Sequence, residues 1–179
     1  MDRLILIKPS LEYKEQIIDM LDEWFLYNKT HKTDLSPRCI FQDYQNFDAY
    51  IERFKQAEIN PKVGLVPATL YFAYDKERNI IVGAIQIRHC LNEHLKLSGG
   101  HIGDGIRPSE RRKGYATEMI GLALKKCKEM GINEVMMSCN KENIGSRKSI
   151  INNGGVYERD VLDDDELLEV YWISVWQFI

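Results

Sequence analysis

Across residues 109–130 the apolar side chains Ala116, Ile120, Ala123, Cys127 and Met130 recur at helical spacing, and strand-like segments flank the stretch on both sides. The segment before it, 101–106, is stopped by Pro108. The one after it, 134–139, follows Gly131, a natural helix C-cap. A strand, a turn, a long helix and a second strand in succession restrict the chain to architectures in which helices lie against a sheet.

The remaining elements read in the same way. Residues 4–8 form a short buried strand ended by Pro9-Ser10, and Ser10 is placed to cap a following helix. In that helix Leu11, Ile17, Ile18, Leu21, Trp24 and Phe25 recur at helical spacing. The polar segment 28–38 breaks the pattern. A second helix covers 41–57, with Phe47, Tyr50, Ile51 and Phe54 on one side. From Ala68 the period becomes that of strands: 68–74 and 80–89, joined by Asp75-Lys76-Glu77-Arg78-Asn79, read as a hairpin. Residues 143–152 form a short helix, Gly154-Gly155 stops it, and 167–179 alternates as a long final strand carrying Trp172 and Trp176. That apolar tail either closes the sheet or pairs with a second subunit, so a homodimer is an open expectation. The order β-α-α-β-β-β-α-β-α-β-β is an α/β (α+β) fold, a mixed, mostly antiparallel central sheet flanked by helices. No repeat or linker divides residues 1–179, so one domain is expected.

Apolar residues at 44% and charged residues at 28% fit a folded chain rather than a disordered one. A net charge of −3 gives no overall attraction to nucleic acid or an anionic membrane, and neither partner is expected. Apolar runs such as 4–7 and 80–84 are of strand length, far short of the ~20 residues a membrane span needs. Asp2, Arg3 and Lys8 deny the beginning of the chain the character of a secretory signal. Cys39, Cys90, Cys127 and Cys139 are scattered, with no C-x-x-C pair. That suits reduced thiols in a cytoplasmic protein and offers no metal site.

The chemistry concentrates in Ile106-Arg107-Pro108-Ser109-Glu110-Arg111-Arg112-Lys113-Gly114-Tyr115-Ala116, between a strand end and the long helix. A helix start carries unpaired N–H groups and partial positive charge, so it attracts phosphate. Gly114 permits close approach to the backbone, and Ala116 is nearly as small. Arg111, Arg112 and Lys113 add positive charge. Cations in a first turn oppose the helix dipole, at about 0.3–1 kcal/mol each, so this basic turn points to a bound anion more than to a solvated face.

The stretch resembles the acetyl-CoA motif of the GNAT superfamily, Q/R-x-x-G-x-G/A, with Arg111, Gly114 and Ala116 at its fixed positions. The resemblance implies an N-acetyltransferase using acetyl-CoA as cosubstrate. Its diphosphate would be held by backbone N–H groups from Arg111 through Arg112, Lys113, Gly114, Tyr115 and Ala116 to Thr117, and its pantetheine arm would pair with the backbone near Gly105 and Ile106. Asn143-Ile144-Gly145-Ser146 is similar to the family's second motif, N-x-x-A/S, and Asn153-Gly154-Gly155 lies where the family has G-F. In such proteins the Asn contacts the cofactor arm. Asn143 by itself reads equally as a helix cap, and Ser146 either bonds the cofactor or solvates the helix. Arg88, His89, Asn92 and Glu93, together with the 111–114 and 152–155 segments, give the look of a bacterial GNAT subgroup.

Acetyl transfer to an amine needs a neutral nucleophile and a proton donor for the leaving thiolate. Many GNAT proteins place a Tyr seven residues after the motif Asn; in this chain that position is Ile150, so the usual acid is missing. Tyr157 is a substitute candidate, with packing as the alternative. Strand alternation puts Ile102, Asp104 and Ile106 on one face of the third strand of the 68–106 segment. Asp104 is therefore the candidate base, or an orienting group, unless it is only an exposed strand-end carboxylate; His101 is the reserve. The acceptor would be a primary amine on a small molecule, an amino acid or a peptide N-terminus. It would meet the N-terminal helices and the 91–100 loop, where Asp34, Asp43, Tyr44 and Asp48 make an acidic, aromatic region. The alternative is a silent module that binds acyl-CoA as sensor or partner.

Overall fold

The computed structural model describes residues 3–31 and 35–177. Its elements are β1 (Leu4–Ile7), α1 (Lys14–Thr30), α2 (Phe47–Ile59), β2 (Ala68–Asp75), β3 (Ile80–Arg88), β4 (Ile102–Ile106), α3 (Tyr115–Glu129), β5 (Glu134–Asn140), α4 (Ile144–Asn152), β6 (Val156–Asp163) and β7 (Glu166–Ser174). The expected order is thus observed, as a mixed α/β arrangement of antiparallel sheets flanked by helices.

The strands divide into two sheets rather than one, with orders β1-β2-β3-β4 and β5-β7-β6. On β2 the alternation that hydrophobic periodicity implies is plain. Leu70 and Phe72 face α1 and α2, joining Ile17, Met20, Leu21, Trp24, Phe47, Tyr50 and Phe54. Tyr71 and Ala73 face α3, joining Tyr115, Met119, Ile120, Ala123, Leu124 and Cys127. Each fully buried Leu, Ile, Phe or Met contributes about 1.5–3 kcal/mol, so both helix layers are fastened to the first sheet by its two faces. The α3 cluster also takes in Val135 and Met137 of β5 and Ile173 of β7, which joins the two sheets through a common core.

Four local expectations are corrected. Ser10 makes no side-chain cap; a 3-10 turn, Leu11–Tyr13, comes first, and the Ser10 carbonyl accepts from Tyr13 N–H at 3.2 Å. The second helix starts at Phe47, not Phe41, because Arg38–Phe41 is a separate 3-10 turn and Asn46 caps the helix by accepting from Ala49 N–H at 3.4 Å. The long helix starts at Tyr115, not Ser109, since the backbone is left-handed at both Arg112 (φ 61°) and Gly114 (φ 84°), which an α-helix excludes. The final strand ends at Ser174, with Trp176 in a 3-10 turn, while Phe178 and Ile179 lie outside the described residues. Moreover β7 lies between β5 and β6, so the apolar tail closes its sheet within the chain, and the edges of that sheet are β5 and β6.

Candidate active site

The two sheets are stitched at one place. His101 N–H donates to Met136 O at 2.7 Å, and Met136 N–H donates to His101 Nδ1 at 3.0 Å. Three residues further along each strand, the Asp104 carboxylate is near enough to the Cys139 thiol to influence its titration. Equal offsets mean that β4 and β5 run in the same direction. They belong to separate sheets, and among the described residues no backbone hydrogen bond joins them beyond the His101 stitch, so the edges of β4 at Asp104 and Ile106 and of β5 at Cys139 form an unbridged wedge.

The register decides which peptide groups reach that wedge. Arg88 N–H donates to His101 O and Arg107 N–H to Val82 O. With Ile85 opposite Asp104 and Ala84 opposite Gly105, the antiparallel alternation turns the peptide groups of Gly103 and Gly105 to β3. Those of Asp104 and Ile106 turn away from β3, toward the wedge. Near Gly105 and Ile106, the stretch expected to meet the pantetheine arm, it is thus Asp104 and Ile106 whose peptide groups face away from β3, with Ile106 O accepting from Arg111 Nε. Gly105 serves another purpose. A Cβ there would lie 2.2 Å from Ser36 O and 2.5 Å from the Trp24 ring, so only glycine admits the close packing of Trp24 and the Ser36-Pro37 segment on β4.

Beyond Ile106 the chain makes a 3-10 turn, Pro108–Glu110, and then the irregular turn 111–114. Among the described residues the N–H groups of Arg112, Lys113, Gly114, Tyr115, Ala116 and Thr117 have no acceptor, whereas Glu118 N–H is satisfied by Gly114 O. A side chain at Gly114 would meet only Arg3 Nη2, at 3.6 Å, so the space beside the turn is open. Six donors at the start of a helix, next to open space, suit a diphosphate.

Arg111, Lys113 and Tyr115 of this turn have side-chain partners within the chain. Arg111 Nε donates to Ile106 O at 3.1 Å, and its guanidinium lies over the rings of Tyr27 (5.2 Å) and Trp24 (5.9 Å). Lys113 Nζ pairs with Glu110 at 2.9 Å. Tyr115 is buried, and its hydroxyl donates to Asp75 at 2.6 Å and accepts from Arg78 Nη1 at 2.9 Å. Arg78 also pairs with Glu110, whose carboxyl the guanidinium hydrogen bond, aided by Lys113, holds at about 2. Glu118 accepts from Leu4 N–H at 2.8 Å and from Arg3 Nε at 3.0 Å. The turn is thus anchored to β1 and to the β2–β3 hairpin through Arg3, Asp75, Arg78, Glu110 and Glu118, a network with no local sequence signal.

Thr117 Oγ1 bonds Ser149 Oγ at 3.2 Å, and Asn153 Nδ2 donates to Thr117 O at 3.0 Å, which fixes α4 against the start of α3. Asn143 caps α4, its Oδ1 accepting from Ser146 N–H at 3.1 Å, so the cap reading of that residue is realised. Ser146 lies beside Cys139, whose thiol is pushed up to about 11 by burial first and by the charges of Glu169 and Asp104.

The candidate proton donors are not assembled at the wedge. Ile150 is fully buried in the α3 core, so no ionisable group stands at that position. Tyr157 is half exposed on β6, bonded to Asp160 at 3.1 Å. It pairs with Tyr171 of β7, which pairs with Met137 of β5, so Tyr157 is two strands from the wedge. His101 is buried with Nδ1 spent on Met136 N–H, and burial together with the Arg88 charge drives its pKa down to about 4. Of the acidic, aromatic region, Tyr44 is buried and donates to Asp22 at 2.7 Å, Asp43 and Asp48 are exposed, and Asp34 lies outside the described residues. No group of metal-ligating side chains occurs among the described residues, and no helix among them is long and apolar enough to cross a membrane.

A family model described as an acetyltransferase (GNAT) domain matches residues 3–156. No curated protein matches the chain by sequence. Among solved structures, the chain is similar to the microcin C7 self-immunity acetyltransferase MccE in complex with acetyl-CoA and AMP, with a TM-score of 0.70 and 16% identity over 97% of this chain and 93% of that one. It is also similar to RimL, the ribosomal L7/L12 alpha-N-protein acetyltransferase, in complex with coenzyme A (TM-score 0.68, 14% identity, 97% and 95% covered). A chimera of the Vibrio cholerae spermidine N-acetyltransferase SpeG and hSSAT gives a TM-score of 0.65 at 15% identity over 98% of each chain. At such identities the likeness speaks for the fold alone.

Proposed function

The chain belongs to the GNAT acetyltransferase family, and from that premise we propose that it transfers the acetyl group of acetyl-CoA to a primary amine. The observation that carries the reading is the row of six unpaired amide donors from Arg112 to Thr117 beside the open space at Gly114. Preorganised backbone donors at a helix start fit the diphosphate, and the peptide groups of β4 that face away from β3, at Asp104 and the Ile106 N–H, fit the amides of a pantetheine arm. Acetyl-CoA supplies an activated acyl group; everything else falls to the chain. The β4 peptide groups at Asp104 and Ile106 would hold the arm, and Asp104 and Cys139 would then flank the thioester. Asp104 takes the proton of the incoming amine, directly or through one water, or orients a cationic amine before it is deprotonated. Holding amine and thioester together removes on the order of 7–11 kcal/mol of barrier in favourable cases, so a modest base suffices. With Ile150 in the core and Tyr157 two strands away, neither position named by the sequence protonates the leaving thiolate, and solvent serves as its proton source. Cys139, its thiol kept protonated by burial, is wall rather than nucleophile.

RimL and SpeG are named for a protein N-terminus and for spermidine, both amine acceptors, which supports an amine or peptide acceptor for this chain. The four cysteines are free, in keeping with a cytoplasmic enzyme. The test is release of CoA thiol from acetyl-CoA across a panel of polyamines, amino acids and peptides. Release that depends on an amine is expected. Tight CoA binding with no release for any amine would favour instead the silent acyl-CoA module, the reading that Ile150 keeps open.

A further inference from the structure

The approach to the amide row is gripped from the opposite face of the sheet. Arg107 is the last residue to bond back to β3, and its guanidinium is buried, 6% exposed. It reaches across to α1, where Glu23 Oε2 accepts from Nε at 2.7 Å and again from Nη2, and Asp19 accepts from Nη2 at 2.9 Å. The same Glu23 carboxylate also holds Ser109: Oε1 accepts from its backbone N–H at 2.9 Å and Oε2 from its hydroxyl at 3.1 Å. One carboxylate therefore ties together the last strand residue and the first turn that follows. Burial on its own raises the Glu23 carboxyl, but the bonds from Arg107 and Ser109 outweigh it and hold the group below its usual range. The next residues of α1 continue the grip. Trp24 packs on Gly105, and Trp24 and Tyr27 receive the guanidinium of Arg111. Alternate residues 105, 107, 109 and 111 are thus fixed by the stretch of α1 from Asp19 to Tyr27, about two and a half turns. A Cβ at Gly114 would have no α1 side chain within 4 Å.

We propose that Glu23 is a positioning residue for the diphosphate site, acting through Arg107 and Ser109 to set the place and direction of the amide donors at 112–117. This rests on the reading of that turn as the site for CoA. A buried ion pair is weak ground for stability, since matched apolar replacements are commonly neutral or better. Fixing groups that themselves support a binding site is the other use of such a pair, and loss of a supporting partner of this kind typically costs about 10–100-fold in affinity where it has been measured at metal sites.

The experiment is calorimetric titration of CoA into the wild type, Glu23→Gln, and the double variant Glu23→Met/Arg107→Met, with urea unfolding of each. Glu23→Gln keeps the shape but loses the charge. The double variant removes the pair without leaving an unpaired buried charge, and so guards against a protein that merely fails to fold. The inference expects CoA affinity to fall about tenfold or more in both, while the double variant unfolds at a wild-type urea midpoint. Ser109→Ala, which removes only the hydroxyl bond, should cost less than Glu23→Gln. Wild-type affinity in a folded double variant would overturn the positioning role and leave the diphosphate site standing. Failure of the wild type itself to bind CoA would overturn the site on which the proposal rests.

Discussion

Protonation of His101 is expected to open the stitch between the two sheets. Its Nδ1 accepts the Met136 N–H at 3.0 Å, so the folded state requires a neutral ring with its proton on Nε2. Burial, reinforced by the Arg88 guanidinium, lowers the pKa from 6.5 to about 4. The folded value lies below the unfolded one, so the stabilising contribution is complete above about pH 6.5 and is lost as the pH falls through about 4. The difference, 6.5 minus 4, corresponds at about 1.36 kcal/mol per unit to roughly 3 kcal/mol. Against a typical domain stability of about 5–15 kcal/mol, that is a large fraction. Urea unfolding of the wild type and His101→Asn at intervals between pH 7.5 and pH 4 measures it. The Asn side-chain oxygen offers Met136 an acceptor that does not titrate, and the carboxylates are common to both proteins. The wild type should lose roughly 3 kcal/mol more than the variant over that interval. Parallel pH profiles would refute the argument, because they would mean that the ring does not titrate between the two states.

Three further outcomes follow from the site. Asp104→Ala should lower turnover on the order of 10²-fold, as loss of a general base does, while the CoA dissociation constant stays within about twofold; steady-state rates and calorimetry check the two halves, and equal turnover would remove Asp104 from the chemistry. Gly114→Val forces a branched side chain into a left-handed backbone, at about 1–2 kcal/mol, and should weaken CoA binding at least tenfold; undiminished affinity in the folded variant contradicts the close approach. Gly105→Ala drives a methyl into Ser36 O and Trp24 and should cost about 1–3 kcal/mol by urea unfolding, with an unchanged midpoint counting against that packing.

The order of elements could be read from the chain because each has a period that local side chains reveal, helical at 17, 21 and 24 and alternating at 70–73. The turn proposed to hold the diphosphate stands out in the sequence for a related reason: a strand end, Pro108, a basic run and Gly114 are neighbours in sequence. What escaped reading is set at a distance. The left-handed backbone at Arg112 has no signature in apolar spacing, so the spacing predicts a helix from Ser109 where the helix begins at Tyr115. The division into two sheets, with β4 and β5 in different ones, rests on pairings between distant strands, and the apolar tail by itself left sheet closure and pairing with a second subunit both open, whereas β7 takes the centre of its sheet. Glu23 meets Arg107 and Ser109 across 84 and 86 residues, with no local cue in any of the three. Arg111 kept its motif position, yet its side chain answers to Trp24 and Tyr27 of α1, contacts that only the folded chain creates. Tyr157 looked close to the motif along the chain, and two intervening strand spacings, roughly 10 Å, separate it from the wedge.

The most direct measurement is a titration of CoA into ¹⁵N-labelled protein, followed at the backbone amides. The resonances of Arg112, Lys113, Gly114, Tyr115, Ala116 and Thr117 should shift together and saturate with the affinity found by calorimetry, and Asp104 and Ile106 should move with them. Amides at 112–117 that stay in place while CoA saturates the protein would mean that the diphosphate is held elsewhere.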